Sequence, residues 1–396
     1  MTGVAAVSSA PPPDRARGRR RRRLRLALLV SLVSLALLAG TREGRTALRA
    51  VALVPYVFPD PPARPLAWVT PAPIHEEVQY TDGRRELVAD LYRPGRSGRY
   101  GGMVLSLGVH PVPRDEPALV QFSQGLARDG YLVLIPESPD LRADRILPSE
   151  RDALVAAFRY LSRREDVDPE RLGFVGFSVG ASLVTVAAAD PRINREVRMV
   201  NFFGGYYDAR DALRAIASRR FSYAGVSTAW EPAELAVTIF ANVLAEHIED
   251  PDERERVRRA LVDKVDLEPA EFDRLGPRAR LVYELFTVGD ARRVDQLVEQ
   301  LPADLQEQLR AVSPSTYARE LRARMYLMHD RGDSFVPYVE SRRFAEQLPP
   351  RQREYTEFSI FAHVQPTTQA TDTVVFLADL AKLVRHIYLV LLELSD

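Results

Sequence analysis

One short stretch in the middle of the chain restricts its local structure more than any other. Residues 173–181, of sequence GFVGFSVGA, carry strand-forming residues into a Gly-x-Ser-x-Gly pattern and then into a helix-forming segment. A serine at such a strand-to-helix turn has a strained backbone, and side chains at Gly176 and Gly180 would collide with the neighbouring backbone. The pattern therefore predicts a sharp turn that presents the hydroxyl of Ser178, our candidate nucleophile.

Strand-like and helix-like stretches alternate from about Ile74 onward. Strands are predicted near residues 77–80, 86–92, 103–109, 131–136, 172–177, 199–203, 325–328 and 355–361. Helices are predicted over residues 117–128, 150–163, 179–189 and 371–394. This alternation indicates βαβ units around a mostly parallel sheet, and the first two strands are expected to form an antiparallel hairpin around Asp82-Gly83.

A long segment interrupts the alternation. About 120 residues separate the strand ending at Phe203 from the strand starting at Met325, far more than a βαβ crossover needs. Within it, apolar residues recur at three- and four-residue spacing over residues 235–248. The spacing predicts a helical insertion, placed at residues 206–320. Its position at the edge of the sheet suggests a lid, although its apolar stripes also serve to pack its own core.

Two segments resemble the α/β-hydrolase superfamily. Residues 166–178, of sequence DVDPERLGFVGFS, are similar to the run into the serine turn of dienelactone-hydrolase-like and prolyl-oligopeptidase-like members. Residues 325–337, of sequence MYLMHDRGDSFVP, resemble the acid loop of the superfamily, a strand ending in His-Gly-x-x-Asp-x-x-Val-Pro. The resemblance covers about residues 75–205 and 310–390. It implies an α/β-hydrolase fold, with a mostly parallel eight-stranded sheet flanked by helices and a helical cap inserted after the sixth strand. It also implies hydrolysis of an ester, thioester or amide without a metal or organic cofactor.

The resemblance further implies the other two members of a catalytic triad. A serine hydroxyl needs a base to accept its proton and an acid to orient that base, and in this superfamily the chain order is serine, acid, histidine. Asp333 takes the acid position, and Asp330, which stands where the family usually has glycine, is the alternative. His363, just past the last predicted strand, takes the base position, followed by Val364 where glycine is common. The other five histidines are interpreted as surface or helix residues.

An oxyanion hole needs two backbone N–H groups directed at the developing negative charge. Val179, directly after Ser178, should supply one of them. The second is expected from residues 108–111, which resemble the His-Gly motif region of the superfamily without reproducing it. Val109 is the candidate there, and His110 is the alternative.

The N-terminal part of the chain has the pattern of a membrane signal. Residues 1–23 are rich in Pro and Arg and are expected to be disordered. Residues 26–40 are uncharged and mostly apolar, which suits a short anchor or a signal-peptide h-region. We place a signal-anchor at residues 24–40 and a linker at residues 41–73. The arginines before the apolar run predict a single N-terminal pass with the catalytic domain on the extracytoplasmic side, or else a secreted protein after signal cleavage.

Composition excludes several classes of function. The chain has 54 basic and 54 acidic residues, but eleven arginines lie within residues 1–50, so 43 basic and 52 acidic residues follow. This mildly acidic body argues against nucleic-acid binding. The absence of cysteine excludes disulfides, thiolate nucleophiles and cysteine-ligated metals.

These patterns together predict a membrane-anchored serine hydrolase whose core comprises residues 74–205 and 321–396. The expected substrate is an acyl ester, either a small molecule or a lipid. Three alternatives stay open: acyl transfer with the same triad, peptide cleavage with the same triad, and a catalytically silent scaffold that binds a partner.

Overall fold

The computed structural model describes residues 39–59, 61, 63–109, 114–367 and 372–395. These residues belong to two compact units, one up to Leu48 and one from Arg49 to Ser395. The strands are β1 (Ile74–Thr81), β2 (Glu86–Arg93), β3 (Tyr100–Ser106), β4 (Tyr131–Pro136), β5 (Val167–Phe177), β6 (Met199–Phe203), β7 (Arg220–Tyr223), β8 (Val226–Ala229), β9 (Arg324–Asp330), β10 (Arg353–Phe358), β11 (Phe361–Ala362) and β12 (Gln365–Pro366). The helices are α1 (Arg42–Leu53), α2 (Pro65–Val69), α3 (Pro117–Arg128), α4 (Pro139–Arg142), α5 (Glu150–Ser162), α6 (Val179–Ala188), α7 (Ala209–Ser218), α8 (Glu234–Ala245), α9 (Pro251–Leu261), α10 (Pro269–Phe272), α11 (Pro277–Thr287), α12 (Ala291–Glu299), α13 (Ala303–Ala311), α14 (Pro314–Tyr317), α15 (Val339–Gln347) and α16 (Thr373–Leu394).

Eight strands form one sheet in the order β1-β2-β4-β3-β5-β6-β9-β10. β1 and β2 form the expected antiparallel hairpin, and β2 also pairs antiparallel with β4. All neighbouring pairs from β4 to β10 are parallel. This order, with helices connecting the parallel strands, confirms the α/β-hydrolase fold predicted from the sequence. The eight predicted strands and four predicted helices are present, with ends that differ by a few residues.

The central strands are apolar because helices cover both faces of the sheet. Every residue of β6 is buried, and β4 is buried up to its last residue, Pro136. The edge strand β1 is mostly exposed and keeps only Tyr80 buried. The continuous apolar runs in the sequence therefore mark the middle of the sheet.

The carboxyl ends of the parallel strands lie at one edge of the sheet, where α/β proteins place their ligand sites. Ser106 at the end of β3 is opposite Gly176 of β5, and Gly176 is opposite Phe202 of β6. Phe203 at the end of β6 is opposite Met328 of β9. The loops that follow β3, β5, β6 and β9 therefore begin next to one another at this edge of the sheet.

The insertion between β6 and β9 contains α7 to α14 and a two-stranded hairpin, β7-β8. The predicted apolar repeat falls on α8, where Phe240 and Leu244 are buried. Leu244 and Leu305 belong to the same continuous apolar core as Phe174 and Leu327 of the sheet. The hairpin escaped prediction because each of its strands is only four residues long and largely exposed.

The chain ahead of the first strand also packs against the sheet layer. Tyr56 is 2% exposed and lies on α3 at Gly125, where a Cβ would be 2.6 Å from the tyrosine ring. Gln121 of α3 donates to the carbonyls of Tyr56 and Phe58, at 3.2 and 2.8 Å. Part of residues 41–73, predicted as a linker, is thus held on α3.

Within the described ranges, no helix is both long and apolar enough to cross a membrane. Residues 1–23, expected to be disordered, and residues 24–38 of the predicted signal-anchor lie outside the residues that the structure describes. The described part of the chain also contains no group of three or more His, Asp or Glu side chains arranged to hold a metal ion.

Candidate active site

Ser178 lies between β5 and α6, with φ 54° and ψ −136°. Residues other than glycine rarely adopt this conformation, and it persists only where the surroundings impose it. The Ser178 N–H donates to the carbonyl of Phe203 at 2.8 Å. A Cβ at Gly176 would lie 2.4 Å from the backbone of the first turn of α6, and a Cβ at Gly180 would lie 2.3 Å from the Leu107 carbonyl oxygen. A side chain at either glycine would therefore collide with the backbone, as predicted.

Asp333, in the loop after β9, is 2% exposed and has partners on both carboxylate oxygens. Oδ1 accepts the N–H groups of Phe335 and Val336 at 2.7 and 3.0 Å. Oδ2 lies 2.6 Å from Nδ1 of His363 and 3.1 Å from Nε2 of His329. Burial by itself would raise the pKa of Asp333, but the charge of His363 and the hydrogen bonds from both histidines hold this pKa well below its usual range. The carboxylate is therefore ionised.

Asp330, the alternative acid, has different partners. Its Oδ1 accepts the N–H of Gly332 and its Oδ2 accepts the N–H of Phe361, both at 2.8 Å. Burial raises the pKa of Asp330 above its ordinary value. Asp330 thus joins the end of β9 to the chain after β10, whereas Asp333 contacts His363.

His363 is 8% exposed and has a positive φ of 58°. Because the Asp333 carboxylate only accepts hydrogen bonds, Nδ1 of His363 carries a proton and donates it. The imidazole stacks on the ring of Phe335, with centroids 4.6 Å apart and planes at 19°. Nε2 is buried and has no hydrogen-bond partner among the described residues. This nitrogen is therefore available to accept a proton.

A short segment after β6 brings the serine turn and the histidine together. Phe203 accepts the N–H of Ser178, as described above. A Cβ at Gly204, which has φ 68°, would lie 3.3 Å from the ring of His363. A Cβ at Gly205 would lie 2.9 Å from the Ser178 carbonyl oxygen. The structure thus brings all three predicted triad residues to the same edge of the sheet.

The predicted oxyanion residues follow directly after Ser178 and after the Gly108 that lies against it. Val179 is the first residue of α6, so its N–H has no acceptor within the helix. Gly108, after β3, lies against the serine, because a Cβ there would be 2.6 Å from the Cβ of Ser178 and 3.3 Å from the Val179 nitrogen. Val109 follows Gly108 and is 7% exposed. His110, the alternative donor, lies outside the described residues.

Sequence reasoning missed three neighbours of the triad. The interpretation of His329 as a surface or helix residue is wrong, since it is a fully buried residue of β9 in contact with Asp333. Phe335 stacks on the predicted base. Trp230, between β8 and α8, donates from Nε1 to the Asp333 carbonyl at 2.8 Å. His329 lies within the acid-loop pattern, which was a usable signal, whereas nothing in the sequence marks Trp230.

No protein-family model and no curated protein sequence matches the chain. Solved structures do match. The acylaminoacyl peptidase of Pyrococcus horikoshii aligns at 14% identity over 74% of this chain and 38% of its own, with a TM-score of 0.44. The acetyl xylan esterase of a Thermoanaerobacterium species aligns at 11% identity over 80% and 84%, with a TM-score of 0.45. An esterase of Pyrobaculum calidifontis aligns at 13% identity over 92% and 97%, also with a TM-score of 0.45. The chain thus spans well under half the length of the peptidase.

Three features of the structure itself identify the fold. The sheet has eight strands, of which only the second runs antiparallel to both of its neighbours. The strained serine follows the fifth strand, and the acid and the histidine follow the last two strands of the sheet. The chain therefore has the α/β-hydrolase fold.

Proposed function

We propose that the chain is a serine hydrolase that cleaves carboxylic esters through an acyl-enzyme. Ser178 is the nucleophile, His363 the general base, and Asp333 the acid that orients His363. The observation that carries the proposal is the 2.6 Å contact between His363 Nδ1 and Asp333 Oδ2, which directs Nε2 away from the acid. A histidine held in this tautomer activates a serine hydroxyl.

The steps of the proposed reaction follow from these positions. Oγ of Ser178 bonds to the acyl carbon while Nε2 of His363 takes the hydroxyl proton. Asp333 stays ionised and stabilises the imidazolium, in keeping with its low pKa. The N–H groups of Val179 and Val109 hold the negative oxygen of the tetrahedral intermediate. The bond between the acyl carbon and the alcohol oxygen then breaks, and His363 passes the proton to the departing alcohol, which leaves the acyl-enzyme. A water that gives a proton to His363 attacks the acyl carbon, the bond to Ser178 Oγ breaks, and His363 returns the proton to Oγ as the carboxylic acid departs.

Aromatic side chains that pack on one apolar cluster, including the residue before the serine, support the proposal that the acyl group of the substrate is apolar. Phe177, directly before Ser178, is half-buried and meets Phe122 edge to face at 6.1 Å. Phe58 and Phe376 lie 6.5 Å apart and pack on the same apolar cluster as Phe177. Half-buried rings of this kind provide apolar surface for a hydrocarbon chain. The proposed substrates are therefore esters with apolar acyl chains, lipid-derived esters among them.

A membrane location through residues 24–40 is part of the proposal. It is supported by the arginine-rich segment followed by an uncharged apolar run. Alkaline carbonate extraction of cells that produce the full chain tests this point. An anchored protein stays with the membrane pellet, whereas a cleaved and secreted protein appears in the medium without its first residues.

Hydrolysis of p-nitrophenyl esters from acetate to laurate tests the activity. The full chain is expected to hydrolyse them with a kcat/KM that rises with acyl length, and Ser178→Ala is expected to fall to the background rate. Ser182→Ala is the matched control, since the Ser182 hydroxyl donates to the Tyr206 carbonyl at 2.7 Å and takes no part in the reaction. Preferred cleavage of an amide, or transfer to an added alcohol, would indicate a peptidase or an acyltransferase instead. A folded wild type that is inert toward all of these substrates would indicate a silent scaffold and contradict the proposal.

A further inference from the structure

Two imidazoles meet at a single oxygen of the triad carboxylate. Nδ1 of His363 lies 2.6 Å from Asp333 Oδ2, and Nε2 of His329 lies 3.1 Å from the same oxygen. The other carboxylate oxygen is occupied by two backbone N–H groups. His329 is fully buried on β9, one position before the strand ends. A triad carboxylate needs only one histidine partner to orient the base, so the second imidazole calls for its own explanation.

The surroundings of His329 determine which nitrogen carries its proton. Nε2 faces two groups that only accept hydrogen bonds, the Asp333 carboxylate at 3.1 Å and the Val336 carbonyl at 3.0 Å. Nε2 is therefore protonated and is shared between these acceptors. Nδ1 lies 2.7 Å from the hydroxyl of Ser341, a fully buried residue of α15, which donates to Nδ1 when the ring is neutral. The ring is thus fixed at both nitrogens.

We propose that His329 is a positioning residue for the triad: its Nε2–H holds Oδ2 of Asp333 from a second side, so that the ionised carboxylate stays aimed at Nδ1 of His363. This inference rests on the proposed function for its kinetic consequences only. By sharing the charge of Oδ2, His329 also limits how strongly Asp333 favours the protonated form of His363. Without the His329 donor, the orientation of the Asp333 carboxylate is less restricted. Its negative charge also stabilises the protonated form of His363 more strongly.

Other charged groups around His329 have their own partners. Asp330 accepts two backbone N–H groups, and Glu357, which is paired in register with His329, binds Arg342. Glu340, beside Ser341 on α15, binds Arg343. Asp333 is accordingly the charged group with which His329 makes direct contact in the described part of the chain.

Three measurements on the full chain test the proposal. First, ¹⁵N NMR of histidine-labelled wild type, assigned by the signal lost in His329→Gln, should show His329 as the neutral Nε2–H tautomer. Second, His329→Leu should lower kcat about tenfold with little change in KM, as expected for losing one hydrogen bond to an ionised group. Third, the same variant should move the titration of His363 to higher pH, both by NMR and in the acid limb of kcat/KM. His329→Gln, whose amide N–H replaces the donor, should restore most of both effects.

A purely structural role would give another pattern. In that case His329→Leu and His329→Gln would lose stability but leave the His363 titration unchanged, which overturns the proposal. An Nδ1–H tautomer of His329 in the wild type overturns it as well, even if His329→Leu does not fold. The NMR titration needs no substrate, so it distinguishes a failure of this inference from a failure of the proposed esterase activity.

Discussion

Replacing Gly180 with alanine should destabilise the protein and impair its active site together. Gly180 is the second residue of α6, and replacing glycine with alanine inside a helix stabilises it by at most about 1 kcal/mol. Here the added Cβ would lie 2.3 Å from the Leu107 carbonyl oxygen and 2.5 Å from that of Ser106. Both are backbone atoms, so neither moves as a flexible side chain would, and overpacking of this kind costs about 3 kcal/mol. We therefore expect a net loss of about 2 kcal/mol in the free energy of unfolding.

The same displacement should reach the oxyanion donors. Leu107 leads directly into Gly108, which borders Ser178, and then into Val109. A shift of the order of 1 Å at a reacting group lowers the rate about a hundredfold. Urea unfolding followed by circular dichroism and kcat/KM with a p-nitrophenyl ester measure the two effects on one protein sample.

Gly276→Ala is the matched control. A Cβ at Gly276 would meet only the carboxylate end of Glu253, at 3.1 Å. This carboxylate accepts the Gly276 N–H at 2.9 Å and needs to shift by only a few tenths of an ångström. Its free energy of unfolding should change by less than about 1 kcal/mol, with unchanged kcat/KM. If Gly180→Ala proves as stable and as active as the wild type, the close packing of the serine turn against the end of β3 is refuted.

Three further predictions concern the acid loop and the core. Asp333→Asn should lower kcat by about three to four orders of magnitude, whereas Asp330→Asn should stay within about tenfold of the wild type, and equal losses would argue against Asp333 as the triad acid. Burial raises the pKa of Asp129 from 3.8 to about 6 despite Arg49 at 2.8 Å, so the folded protein binds this proton more tightly than the unfolded chain. The free energy of unfolding should therefore fall by at most about 3 kcal/mol as the pH rises from about 4 to 7, and urea titrations of Asp129→Asn should lack this fall. Trp230→Phe removes the hydrogen bond to the Asp333 carbonyl and should lower the free energy of unfolding by about 1 kcal/mol, while an unchanged value would mean that this bond does not hold the loop.

The sheet was predictable because its central strands are continuous apolar runs separated by helical patterns. The strained turn at Ser178 was predictable for a different reason. Such a turn between a strand and a helix leaves no room for a Cβ at the two flanking positions, and the Gly-x-Ser-x-Gly pattern shows glycine at both. Asp333 and His363 followed from the resemblance of their segments to the superfamily, together with its fixed chain order. The structure places these two residues in contact.

The remaining features depend on contacts between residues far apart in the sequence. Trp230 and Asp333 are joined by a side-chain hydrogen bond across more than a hundred residues, and no local pattern indicates it. The burial of Tyr56 depends on a gap at Gly125 of α3, which becomes visible only once the two segments are packed. The contact of His329 with the acid depends on how the loop after β9 folds back onto the strand, and strand periodicity does not specify that path.

The most direct test of the account is to locate the site of covalent labelling by a fluorophosphonate. We expect one adduct on the full chain, found by peptide mass spectrometry on Ser178, absent from Ser178→Ala and formed much more slowly in His363→Ala. An adduct on another serine, or no adduct on a protein that circular dichroism shows to be folded, would contradict the assignment of Ser178 as an activated nucleophile.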